Sequence, residues 1–156
     1  MEQRGESFIV GISSLALSDA YRSRRGDKME KLKIEYVPIE SIKPNEYNPK
    51  GMTKKEAEDL EKSIIEFDIV DPIIANKAKG REGRIIGGHQ RFKIYKKIGV
   101  EEVPIIFINI PDMEKEKELC LRLSKNVGSW DWDLLANFDQ EQLIEVGFEE
   151  GRYFNG

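Results

Sequence analysis

Five consecutive residues, Gly87-Gly88-His89-Gln90-Arg91, offer the best chemistry in this chain. Adjacent glycines let a backbone approach a ligand closely, because no Cβ stands in the way. If a helix begins here, its unpaired amides and its dipole favour an anion. Arg91 then falls in the first turn, where a guanidinium can fork onto a phosphate or a carboxylate. His89 is the single histidine of the chain. An imidazole at this joint can donate, accept or titrate near neutral pH. Lys93 and Lys96 add positive potential. Together these residues suit a phosphate site. The same letters also describe a plain strand-to-helix turn with basic residues on its surface.

Three other features carry weaker signals. The segment "KPNEYNPKG" (43–51) is a loop whose asparagines suit turns, and Glu46 is its one carboxylate. In "SKNVGSWDWDLL" (124–135), Asn126 can hydrogen-bond a ligand from a helix end. Trp130 and Trp132 there can stack on a base, or serve as core and staple contacts. Cys120 lies between Leu119 and Leu121, which reads as a buried structural thiol rather than a nucleophile.

The elements that must position these residues follow from periodicity. "KIEYV" (33–37) has strand character, and 41–52 is a proline-bearing loop. Thr53 and Glu56 form a capping box. The helix after it places Ala57, Leu60, Ile64 and Phe67 on one face. Strands are expected at 72–76 and 84–88, joined by the turn 77–83. Phe92, Tyr95 and Ile98 mark the buried face of the next helix, with Gly99 as a left-handed terminator. The apolar run 103–110 reads as a buried strand. A helix over 111–128 follows, then two short helices around 132–138 and 140–146. Strands and helices interleave with two strands consecutive, so the expected fold class is α+β: a small mixed sheet with helices packed on it and a short helical tail.

Bulk properties restrict the function. The chain has 156 residues, enough for one domain with a real core. Charged residues make up 35%, and no apolar run approaches the roughly 20 residues that span a bilayer. One cysteine and one histidine leave no set for a disulfide or a structural zinc site, so no metal ligands are assigned. A reducing cytoplasm is the expected compartment. Residues 131–156 carry Asp131, Asp133, Asp139, Glu141, Glu145, Glu149 and Glu150 against Arg152 alone. This acidic tail would repel DNA. Residues 1–28 differ from the rest. "RRGDKM" back-translates to a purine-rich stretch before an ATG, which suggests Met29 as the natural start. The segment 1–28 is then a disordered extension or upstream sequence, 29–130 the domain and 131–156 the tail.

The segments "IEYVPIESIKPNEYNPKG", "LEKSIIEFDIVDPIIANK", "RIIGGHQRFKIYKKIGVEEVPIIFINI" and "LCLRLSKNVGSWDW" occur in that order. In order and spacing they resemble the ParB/sulfiredoxin-like domain, over about residues 34–132. They look closest to the versions found in phages and mobile elements, many of them joined to, or encoded near, DNA methyltransferases. The resemblance implies a ParB/sulfiredoxin-like fold with a nucleotide pocket. The Gly-Glu-Arg-Arg turn that holds the triphosphate of CTP in ParB proteins aligns with Gly88, His89, Gln90 and Arg91, preceded by Gly87. A Glu-Asn pair that helps bind phosphate and magnesium reads Lys125-Asn126 here, which removes the carboxylate. Lys125 can instead neutralise phosphate itself. The Gly-x-x-Gln-Pro segment reads Asp68-Ile69-Val70-Asp71-Pro72. Sulfiredoxin places a reactive cysteine where this chain has His89, so that activity is not implied.

The leading expectation is a nucleotide- or phosphate-binding module in DNA metabolism. It would take CTP or ATP at Gly87–Arg91, Lys125 and Asn126, with the need for magnesium open. A nucleotide, a DNA methyltransferase, DNA reached through a partner and a second copy of the chain are the partners considered. Alternatives are a metal-dependent nuclease, a phosphotransferase acting on a small molecule such as serine, and an interaction domain with a vestigial pocket. For catalysis the candidate residues are Glu46, as a base, and His89.

Overall fold

The computed structural model describes residues 13–25, 31–48, 50–125 and 128–149. The chain divides into two compact units, Met1–Leu32 and Lys33–Gly156. In the first, helix α1 spans Ser14–Arg25. Its start is capped, the Ala16 amide donating to Ser13 Oγ at 3.2 Å. Its residues 14–24 are all exposed. A helix thus occupies part of the segment read from sequence as disordered or upstream. The expected start at Met29 lies outside the described residues.

The second unit runs β1 (Ile34–Pro38), a single 3-10 turn (Ile39–Ser41), α2 (Lys54–Phe67), β2 (Ile73–Asn76), β3 (Ile85–Gly87), α3 (His89–Ile98), β4 (Glu102–Ile108), α4 (Met113–Lys125), α5 (Trp132–Leu135) and α6 (Gln140–Glu145). The four strands form one sheet in the order β1-β4-β2-β3. β4 pairs antiparallel with β1 and parallel with β2, and β3 pairs antiparallel with β2. The sheet is mixed, and the fold is α+β, as the interleaved pattern predicts.

Side-chain alternation assigns the two faces of the sheet. Ile73 and Ala75 of β2 and Val103 and Ile105 of β4 enter the main core with Ile64 of α2 and Phe92 and Tyr95 of α3. Ile73, Ile85 and Ile105 are fully buried. Each such side chain contributes about 2 kcal/mol through the apolar surface it removes from water. Ile74 and Asn76 point to the opposite face. There Asn76 Nδ2 donates to Glu116 of α4 at 2.7 Å. α4 therefore covers the face that α2 and α3 leave open.

Local chemistry sets the ends of the helices. The Glu56 amide donates to Thr53 Oγ1 at 3.2 Å, and the Thr53 amide donates to Glu56 Oε2 at 2.8 Å, the reciprocal pair expected of a capping box. α2 buries Ile64, with Ala57 and Leu60 packed beside it. Phe67 does not join them and is 63% exposed. The reason is its place in the last turn: Asp68 takes φ 66°, and the chain leaves the helix before Phe67 meets the core. Gly99 ends α3 at φ 80°, its amide returning to Lys96 and Tyr95 carbonyls. α4 starts later than the expected 111, where the Asp112 carbonyl accepts from the Glu116 amide at 3.0 Å. The tail forms α5 and α6, each capped by an aspartate, Asp131 and Asp139. Among the described residues no helix is long and apolar enough to cross a membrane.

Candidate functional site at the start of helix α3

β3 ends at Gly87 and α3 begins at His89, so Gly88 makes the whole turn. Its φ of 97° is left-handed, which glycine adopts without strain. Space also demands glycine. A Cβ at Gly88 would lie 3.0 Å from Arg91 Nη2 and 3.1 Å from Ile73 Cγ1. Gly87 is similarly close to Leu123 of α4, at 3.2 Å. The missing side chains leave a cavity of about 380 Å³ against the α3 start. Its walls are Gly87–Arg91, Asp71 and Pro72 ahead of β2, Asn48 and Lys50 of the loop, Leu60 of α2, Ile74 and Ile86 of the sheet, and Leu123 and Ser124 of α4. The size falls in the range of small-molecule sites.

Arg91 dominates the polar side of this cavity. Its Nη1 donates to Asp71 Oδ2, and its Nη2 donates to the Pro72 carbonyl at 3.2 Å. Its Nε–H is buried and, among the described residues, meets no acceptor. Gln90 Nε2 donates to the Lys50 carbonyl at 2.8 Å, whereas Gln90 Oε1 is buried without a donor. Each unpartnered buried group costs about 1–3 kcal/mol. Proteins retain such groups at sites where something else must pair with them.

His89 lines the cavity but is buried at 7% exposure. Its Nε2 accepts a long hydrogen bond from the Asn45 amide at 3.4 Å. Burial, and then the charge of Lys93, hold its pKa below the ordinary value. The surroundings therefore favour the neutral ring over the protonated one. Asn45 also donates to the Ile85 carbonyl at 2.8 Å and reaches Cys120 Sγ at 3.8 Å. Cys120 is buried, and burial pushes its thiol up. That agrees with the structural role read from sequence.

The structure does not bring Glu46 to this cavity. Glu46 is half exposed and pairs with Arg84 Nη2 at 3.1 Å and Arg81 Nη1 at 3.4 Å. Its own backbone amide is the largest influence on its carboxyl; burial opposes it, and Arg81 and Arg84 add to it, so the carboxyl is held below the ordinary value. A carboxylate so stabilised is a weak base. Lys125 closes α4 one residue after Ser124, but it is not among the residues lining the cavity. Asn126 lies outside the described residues. Gly87, Gly88, His89, Gln90 and Arg91 are thus brought together, while Glu46 stands apart.

Sequence reasoning singled out the segments 43–51 and 124–135 but not Lys50 or Ser124 within them, and it missed the wall formed by Leu123. It also missed a polar cluster behind them. Glu116 is fully buried and accepts from Asn76 at 2.7 Å, from Arg81 Nη2 at 2.6 Å and from the Tyr47 hydroxyl. The cluster ties α4 to the 77–83 turn and to the 43–51 loop. One signal was available: Glu116 and Cys120 are four apart on one helix face. Nothing in the sequence pairs Glu116 with Arg81.

The donor set fits a phosphate group: an arginine in the first helical turn, backbone amides at the helix start, and a glycine that leaves the approach open. It fits a magnesium site poorly. Asp71 is the single carboxylate among the described lining residues, and Arg91 already engages it. Among the described residues no three His, Cys, Asp or Glu side chains converge.

A mixed four-stranded sheet with helices packed on it defines a small α+β domain. The family model of the ParB N-terminal domain matches residues 23–127, and the chain belongs to that family. Among solved structures it is similar to the C-terminally truncated chromosome-partitioning protein ParB from Caulobacter crescentus complexed with CTP-γ-S. That match has a TM-score of 0.58 and 20% identity, covering 73% of this chain and 70% of that one. It is also similar to a pNOB8-like ParB N-domain, with a TM-score of 0.51, 28% identity and coverage of 69% and 41%. Curated relatives include nucleoid occlusion proteins of Geobacillus kaustophilus, 30% identical over 89 residues, and of Bacillus cereus strain AH187, 33% identical over 89 residues. Each alignment covers 56% of this chain and 32% or 31% of the relative, so the chain spans about a third of their length.

Proposed function

We propose that the domain binds a nucleotide through its phosphates at the start of α3. The observation that carries this reading is Arg91: it is placed in the first turn of a helix, beside a left-handed glycine where a Cβ would crowd its guanidinium, with a buried Nε–H that meets no acceptor among the described residues. Helix-start amides and an arginine fork are the usual chemistry for holding phosphate. The CTP-γ-S bound by the Caulobacter relative makes CTP the first nucleotide to test and ATP the second. Gly87 and Gly88 give backbone approach, Arg91 gives charge, and Gln90 presents an acceptor. His89 acts as a neutral packing and hydrogen-bonding group. Lys125 and Asn126 follow Ser124 directly in the sequence and belong to the same proposal.

The biological setting proposed is DNA metabolism in the cytoplasm, with a partition- or occlusion-like role as the relatives' names suggest. A DNA methyltransferase partner, a phage or mobile-element origin and a homodimer belong to the same proposal. Catalysis gains no support from the described residues, because the phosphotransferase reading needs Glu46 at the cavity and the nuclease reading needs convergent carboxylates.

A thermal-shift screen of CTP, ATP, GTP and UTP tests the reading. At least one is expected to raise the melting temperature, and Arg91→Ala is expected to abolish that rise while leaving the ligand-free curve within a few degrees. If no nucleotide shifts the wild-type protein at millimolar concentration, the proposal fails.

A further inference from the structure

Arg91 is already occupied by an anion of its own chain. Its Nη1 is engaged by Asp71 and its Nη2 by the Pro72 carbonyl, so the fork that would grip a phosphate is turned onto the segment before β2. Asp71 lines the cavity and is 62% exposed, while Arg91 is 25% exposed. The pair therefore sits at the mouth of the cavity rather than in the core. The buried Gln90 Oε1 adds a second acceptor on the same wall. A carboxylate and an amide oxygen both repel a bare phosphate and both welcome a hydrogen-bond donor.

We infer that Asp71 is a specificity-determining residue: it competes with ligand phosphate for Arg91 and so favours ligands that also bring a hydrogen-bond donor. A simple phosphate anion that takes Arg91 leaves Asp71 unpaired next to its own negative charge. A nucleotide that takes Arg91 can offer ribose hydroxyls or a base amino group to the released carboxylate or to Gln90. Asp71 thus costs affinity for inorganic polyphosphates and costs less, or nothing, for nucleotides. This rests on the proposed phosphate site and names what that site selects.

The test compares wild type, Asp71→Asn, Asp71→Glu and Arg91→Ala by isothermal titration with CTP, ATP and inorganic tripolyphosphate. Asp71→Asn is expected to tighten tripolyphosphate binding by roughly tenfold. It removes both the competing anion and its repulsion of the ligand, each worth a few-fold at a half-exposed site. Nucleotide affinity is expected to gain less or to fall, so the preference for nucleotide over tripolyphosphate shrinks. Asp71→Glu restores the preference, and Arg91→Ala removes binding of both. A merely structural Asp71 would weaken all ligands together when replaced. Unchanged or weaker tripolyphosphate binding by Asp71→Asn, with nucleotide still bound by wild type, overturns this inference and leaves the nucleotide site standing. Failure of wild type and Asp71→Asn to bind either kind of ligand overturns the phosphate site itself.

Discussion

Glu116→Ala is the substitution expected to weigh most heavily on the fold behind the site. The carboxylate is fully buried and holds Asn76 at 2.7 Å and Arg81 at 2.6 Å, together with the Tyr47 hydroxyl. Its removal leaves the Arg81 guanidinium, whose side chain is 14% exposed, without its main counter-charge. It also strips Asn76 and Tyr47 of an acceptor. Breaking one partner out of a buried pair costs about 3–5 kcal/mol. Arg81 keeps Glu46 at 3.4 Å, a half-exposed contact, so the lower end of that range, about 3 kcal/mol, is expected. For a unit of this size each kcal/mol moves the melting temperature by about 4 °C, which gives a fall of about 12 °C. Differential scanning calorimetry at pH 7 reads it directly. The acid limb gives an independent check. Burial raises the Glu116 pKa, but the hydrogen bonds from Arg81, Asn76 and Tyr47 and the charge of Arg81 outweigh it, so the folded value lies below the ordinary 4.5. A carboxyl whose folded pKa is depressed stabilises the protein above its unfolded pKa. That contribution is lost as pH falls from 4.5 through the lower folded value. Wild type should therefore lose stability more steeply than Glu116→Ala below about pH 4.5. A fall of less than about 3 °C at pH 7, or parallel acid limbs, would refute the view that this cluster anchors α4.

Two further outcomes concern the α3 turn. Gly88→Ala combines a left-handed φ of 97° with a Cβ 3.0 Å from Arg91 Nη2. It should cost about 1–2 kcal/mol by urea denaturation and weaken nucleotide binding more than that loss explains, because Arg91 must move. His89 has a folded pKa below 6.5, so folding disfavours its protonated form. Its contribution to stability is complete above pH 6.5 and declines as pH falls from there to the folded value. In NMR spectra the ring proton shifts should titrate with a midpoint below 6.5, and a midpoint at or above 6.5 would contradict the burial argument.

The local features of this protein were written in the sequence. Thr53 and Glu56 are close enough to cap each other without any tertiary help, and the Gly99 stop is equally local. The alternation of strand and helix patterns fixed the α+β class, since a four-residue apolar run and a 3.6-residue apolar period bury themselves in different ways. The glycine pair before α3 marks the strand-to-helix turn where the phosphate site is proposed, and such a turn is legible because it is made from consecutive residues. Phe67 shows where periodicity stops being informative. It has the right spacing for the buried face of α2, but the chain turns at Asp68 before that face meets the core.

Tertiary structure decided the rest. Glu46 looked available as a base until Arg81 and Arg84, 35 and 38 positions away, were seen to hold it. His89 is a titratable type by sequence, but packing at the cavity wall buries it. Asp71 is 20 residues from Arg91, and β2 and β3 pairing side by side brings them into contact. The Glu116 cluster joins four separate stretches, from Tyr47 to Glu116. A sequence determines which residues can cap, turn or bury themselves, since those acts involve neighbours along the chain. Which charge neutralises which is settled only by the register of the sheet and the packing of α4, because a Coulomb interaction depends on distance in space and on the water that packing removes.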